Sequence, residues 1–168
     1  MRGTGATAGT VGLLFDETEA VEINKVVLDN LDLMKDYNFD INTRDNITLI
    51  HDDGIRYVKN ATGPYSLILN TVTSPQLFSS SKLYTQDFFE AIKEKLSPDG
   101  LYVTWADGNI GSSGMNVILK TLDSAFEYCG LAYVRSNYFL LACSQQRATV
   151  RNYQKIAQNQ LLETYFAE

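Results

Sequence analysis

The chain has 168 residues, 45% hydrophobic and 20% charged, with a formal net charge of −6 at pH 7. This is the balance of a globular chain long enough to bury a sizeable core, and its acidity argues against nucleic acid as the main partner, since phosphate recognition wants a basic face. No apolar run approaches the roughly 18–20 residues of a membrane span and no basic-then-apolar leader opens the chain, so the expected setting is cytoplasmic with no membrane partner.

The first segment, Gly3-Thr4-Gly5-Ala6-Thr7-Ala8-Gly9, has the form of a glycine loop that lets the backbone approach a ligand and exposes N–H groups at a helix start. Alone, the spacing serves helix packing equally well. A short helix is expected from Thr7 to Phe15, a strand from Glu19 to Ile23, and a helical stripe from Asn24 to Met34 through Val26, Val27, Leu28, Leu31 and Met34. The polar run "KDYNFDINTRDN" reads as a loop. Ile47–His51 is a second strand, Asp53–Ala61 a short helix and Tyr65–Asn70 a third strand.

"TVTSPQLFSSS" reads as a long loop, and Leu83–Leu96 as an amphipathic helix with Phe88, Phe89, Ile92 and Leu96 on one face. "SPDG" turns into a fourth strand, Leu101–Ala106. A helix from Met115 to Tyr128 leads to "LAYVRS" and "YFLLACS", which read as an antiparallel hairpin around Ser136-Asn137. The tail Thr149–Phe166 is helix-like and polar. Strand–helix alternation ending in a hairpin implies one α/β domain, a mostly parallel sheet with an antiparallel edge. Cys129 and Cys143 sit in apolar surroundings outside any CxxC or Cys/His cluster, so buried free thiols and no metal site are expected.

In open α/β sheets ligands bind beyond the carboxyl ends of the strands. Glu22 closes the first strand, 17 residues after Gly5, about where a carboxylate accepts both hydroxyls of a ribose. Asp52-Asp53-Gly54 follow the second strand, where an acid can take an adenine amino group, a backbone N–H a ring nitrogen, or an Asp can simply cap the next helix. His51, the one histidine, reads as structural. Glycine loop, ribose acid and adenine acid at three strand ends make a candidate adenosyl site.

The segments "GTGATAG … VEIN … HDDGIRYV … YSLILNTVTSP … LYTQDFFEAIKEKLSPDGLYVTW", over roughly residues 1–145, resemble the polyamine aminopropyltransferases, the spermidine and spermine synthases. The resemblance implies a Rossmann-like, three-layer fold of the S-adenosylmethionine-dependent methyltransferase type. It implies that Glu22 holds the ribose of decarboxylated S-adenosylmethionine, that Asp53 and Gly54 meet the adenine, and that Gly3 and Gly5 pass beneath the sulfonium side chain. The acceptor would be a small-molecule amine. The family's D-x-x-D-P catalytic loop is degenerate here: Asn70 and Thr73 stand at the aspartate positions and Pro75 falls one residue late. Neither replacement carries the charge or the base that helps an amine attack the carbon beside a sulfonium. Tyr65 and Tyr84 near that loop read as core.

The family's amino-terminal hairpin domain and first strand have no counterpart in this sequence. That strand belongs between those ending at Glu22 and Asn70, and unpaired strand edges there cost roughly 1–3 kcal/mol for each buried group. The expectation is a part of a longer polypeptide, and for the chain alone either direct closure of the flanking strands or a homodimer. Three functions compete: an aminopropyl transferase binding decarboxylated S-adenosylmethionine, S-adenosylmethionine or methylthioadenosine, an S-adenosylmethionine-dependent methyltransferase, and a non-catalytic ligand-binding or interaction domain.

Overall fold

The computed structural model describes residues 4–71, 75–135 and 137–147. Gly3, Thr73 and the tail from Thr149 lie outside them. The chain divides into two compact units, one ending at Tyr57 and the other beginning at Val58.

The first unit starts with α1 (Ala6–Leu14), followed by β1 (Thr18–Glu22), α2 (Lys25–Asp29), α3 (Lys35–Asn38) and β2 (Ile47–His51). β1 and β2 run parallel, with Thr18 opposite Ile47 and Glu22 opposite His51. Their core is Leu31, Ile41 and Ile47, with Ala8, Ala20, Val27, Leu28 and Leu49 packed around it. The single helical stripe expected from Asn24 to Met34 is broken at Asn30. The Asn30 Nδ2 donates to the Val26 carbonyl at 2.8 Å, a local bond that competes with the helix. A 3-10 turn (Leu31–Met34) follows, which sends Leu31 into the core and leaves Val26 68% exposed. The polar run after it is largely ordered, as α3 and a second 3-10 turn, Ile41–Thr43.

α1 buries only Gly9 and Gly12. A Cβ on Gly12 would lie 2.4 Å from the Ile47 Cδ1, so glycine lets the helix lie down on β2. Asn46 then closes its far end, its Nδ2 donating to the Gly12 carbonyl at 2.7 Å and the Phe15 carbonyl at 2.9 Å. Those are orphan acceptors of a last helical turn.

α4 (Gly54–Asn60) leads into the second unit, which contains β3 (Tyr65–Asn70), α5 (Phe78–Ser81), α6 (Gln86–Lys95), β4 (Leu96–Asp107), α7 (Gly111–Ala125), β5 (Tyr128–Arg135) and β6 (Tyr138–Ser144). The sheet order is β3-β4-β6-β5, with β3 and β4 parallel and the hairpin antiparallel, as the sequence suggested. β4 begins earlier than expected. Leu96 already pairs with Tyr65, and "SPDG" bulges out before Leu101 pairs with Leu67. Phe88, Phe89 and Ile92 of α6 and Ile118, Leu122 and Ala125 of α7 are buried. The buried Tyr102 ring lies 5.8 Å from that of Phe89 and stacks at 5.8 Å on Phe126.

β1 and β2 make one sheet and β3 through β6 another. Among the described residues the β1–β2 pair leaves one edge of each strand without a ladder partner, and the order of the second sheet ends on β3 in the same way. The cysteines are not free thiols: Cys129 and Cys143 stand opposite each other in the β5–β6 ladder and form a disulfide. Hairpin register forces that meeting, with Cα atoms 4.2 Å apart. No helix among the described residues is long and apolar enough to cross a membrane.

Candidate functional site

The carboxyl ends of β1 and β2 are adjacent, the Asp52 N–H donating to the Glu22 carbonyl at 3.2 Å. This brings Glu22, Asp53 and Gly54 to neighbouring strand ends. Glu22 is half-buried, and its Oε1 accepts the Asn24 N–H at 2.8 Å. Asn24 in turn caps α2, its Oδ1 accepting the Val26 N–H at 3.0 Å. One carboxylate oxygen is therefore fixed by the turn, and among the described residues no partner engages Oε2.

Asp53 repeats this arrangement. Its Oδ1 accepts the Ile55 and Arg56 N–H groups at 2.9 and 3.0 Å, capping α4 as the alternative reading expected. Among the described residues its Oδ2 is likewise without a partner. Asp52 is committed elsewhere: the Arg56 Nε donates to its Oδ1 at 2.6 Å, and that guanidinium holds the carboxyl below its usual range. A Cβ on Gly54 would meet nothing within 4 Å, so this side of the backbone is open. His51 is exposed, its Nε2 donating to the Ile23 carbonyl at 3.1 Å.

Gly5 is the residue before α1 and has φ 78°, a left-handed conformation that favours glycine. Gly9 has a packing role: a Cβ there would lie 2.0 Å from the Asn38 carbonyl oxygen. What the sequence concealed is Asn38. It is fully buried, and its Nδ2 donates to the Thr4 carbonyl at 3.0 Å. Hydrophobic periodicity cannot flag such a residue; only a structure reveals a polar side chain turned inward.

In the second unit, Asn70 closes β3 at 8% exposure, and its Nδ2 donates to the Tyr102 hydroxyl at 3.4 Å. Tyr84 is buried, as expected of a core residue, and its hydroxyl donates to the Trp105 carbonyl at 3.0 Å. The Trp105 Nε1 fastens the start of the next loop by donating to the Thr71 carbonyl at 3.2 Å. No carboxylate stands at Asn70, and Thr73 lies outside the described residues.

Burial pushes the Tyr102 phenol well above its ordinary value of 10.0. The native state therefore favours neutral Tyr102, and its contribution is intact below pH 10 and lost as pH rises beyond the unfolded value. Stability should fall by about 1.4 kcal/mol per pH unit for each such phenol above that point. Tyr102→Phe should flatten this alkaline limb in urea titrations; an unaltered slope would contradict the burial.

Residues 13–142 match the profile of the Spermine/spermidine synthase domain. The chain is 33% identical over 96 residues to polyamine aminopropyltransferase 2 of Hyperthermus butylicus, covering 55% of this chain and 32% of that protein. It is 33% identical over 92 residues to the polyamine aminopropyltransferase of Sulfolobus acidocaldarius, covering 52% and 30%. The chain thus spans 32% and 30% of the length of these two curated relatives. Among solved structures, a spermidine synthase in complex with the transition-state analogue AdoDATO aligns with TM-score 0.79 and 14% identity, over 94% of this chain and 58% of that one. Human methyltransferase-like protein 13 in complex with SAH aligns with TM-score 0.64 and 15% identity, over all of this chain and 93% of that one. At these identities the likeness establishes the fold, the Rossmann-like α/β arrangement of methyltransferases.

Proposed function

Because the chain belongs to the spermine/spermidine synthase family, we propose that its first unit binds an adenosyl ligand as part of a transferase acting on a small amine. The ligand class is decarboxylated S-adenosylmethionine, S-adenosylmethionine or methylthioadenosine. The observation that carries the reading is the pair of half-used carboxylates: Glu22 and Asp53 each spend one oxygen on a neighbouring turn, at adjacent strand ends. Ribose hydroxyls and an adenine amino group are donors that match such acceptors. The open side of Gly54 admits a flat base.

In aminopropyl transfer a neutral amine attacks the carbon beside the sulfonium, the carbon–sulfur bond breaks, methylthioadenosine leaves, and the new ammonium loses a proton. Asn70 can accept a hydrogen bond at the acceptor but cannot take that proton. The amide at Asn70 favours one second reading, methyl transfer from S-adenosylmethionine, which needs the same adenosyl cradle and no aspartate pair.

Isothermal titration with the three adenosyl ligands tests the reading. Glu22→Ala should weaken binding roughly ten- to hundredfold, the ~1–3 kcal/mol of a lost charged hydrogen bond. Unchanged affinity would refute the ribose assignment, and binding of none of the three ligands would leave the non-catalytic, non-adenosyl alternative.

A further inference from the structure

The Thr4-Gly5 turn precedes a helix that has no apolar stripe with which to anchor it. α1 is ATAGTVGLL, and its buried positions are glycines. The anchor is Asn38, the last residue of α3, 34 positions along the chain. Its Nδ2 donates to two carbonyl oxygens, Thr4 at 3.0 Å and Leu31 at 2.9 Å, while its Oδ1 accepts the Ile41 N–H at 3.3 Å. Both amide hydrogens and the carbonyl oxygen are thus engaged, a pattern that aspartate, leucine or serine cannot reproduce. The same residue sets the space around the turn. A Cβ on Gly5 would lie 3.4 Å from both the Cβ and the Nδ2 of Asn38, and one on Gly9 would strike its carbonyl.

We propose that Asn38 is the positioning residue for the ligand loop: by holding the Thr4 carbonyl it sets the backbone on which the 5′ sulfur end of the adenosyl ligand rests. This rests on the adenosyl reading above. The acceptors assigned to ribose and base, Glu22 and Asp53, stand on β1 and after β2, and each is held by its own turn rather than by Asn38. Disturbing Asn38 therefore divides the ligand. The affinity contributed by the 5′-methylthio group falls, whereas the affinity of the nucleoside without it persists.

The test titrates the wild-type chain and Asn38→Asp with methylthioadenosine and with adenosine, and follows amide hydrogen exchange. Aspartate keeps the shape and the Oδ acceptor but removes the donors to Thr4 and Leu31. Methylthioadenosine should bind at least about tenfold more weakly to the variant, adenosine within about twofold of wild type. Exchange should accelerate at Ala6–Gly9 and stay unchanged in β1 and β2. A merely structural residue would weaken both ligands alike, and that result, or an unchanged ratio, overturns the proposal. If Asn38→Asp does not fold, Asn38→Ser is read by the same two ratios. Wild-type chain that binds neither nucleoside overturns the adenosyl reading and this inference with it; wild-type binding with an unaltered ratio in the variant overturns the role of Asn38 alone.

Discussion

Gly9→Ala should destabilise the first unit by roughly 1–3 kcal/mol, although alanine is the better helix former. Propensity alone predicts a gain of up to ~1 kcal/mol. Against it stands a new Cβ 2.0 Å from the Asn38 carbonyl oxygen and 2.8 Å from its carbon, with the Phe39 Cδ2 at 3.3 Å. The two nearest obstacles are backbone and cannot rotate away. α1 must retreat, which stretches the 3.0 Å bond from Asn38 to Thr4 and uncovers Ala8 over the Leu31–Ile41–Ile47 cluster. Urea unfolding of the variant, read beside Gly54→Ala, isolates the effect, because a Cβ on Gly54 meets nothing within 4 Å. A Gly9→Ala chain as stable as wild type would mean that α1 does not lie against α3 as described.

The second large effect belongs to the other unit. Phe89→Ala should cost about 3–5 kcal/mol, a large part of the 5–15 kcal/mol that holds a typical domain folded. Phe89 is 0% exposed, and its ring lies 6.4 Å from Phe88 and 5.8 Å from Tyr102. Removing it leaves a cavity beside a tyrosine that is itself stacked on Phe126, so relaxation of one ring disturbs the next. Near-ultraviolet circular dichroism should lose intensity together with the shift of the urea midpoint. Val117→Ala on α7 is the comparison, since Val117 is 66% exposed and should change stability by no more than about 0.5 kcal/mol.

Legibility followed the kind of signal each segment carries. Ile47–His51 and Tyr65–Asn70 are short apolar runs between polar turns, and they stand as strands at those very residues. Phe88, Phe89 and Ile92 were visible as one helical face because burial there is periodic. Asn30 ended a helix by a side-chain bond that periodicity does not encode. Asn38 and Asn46 lay hidden in a polar stretch that looked solvated, although both are donors to distant carbonyls. The disulfide was within reach: a hairpin turning near Ser136-Asn137 sets Cys129 against Cys143, and composition alone argued otherwise. At the candidate site the acids announced themselves by type and by position at strand ends. Whether each oxygen was spent or spare depended on turn geometry, which no spacing rule supplies.

The two asparagines that hold α1 bear on the order in which this unit can form. Each clasp, Asn38 to Thr4 and Asn46 to Gly12, joins groups 34 residues apart in the chain. A nine-residue helix with two of its glycines facing inward has little tendency to persist by itself. Closing contacts over that separation carries a loop-closure entropy that local structure cannot repay in advance. The glycine turn should therefore acquire its shape only after α3 and β2 are in place, as a late-folding element assembled on a scaffold translated after it.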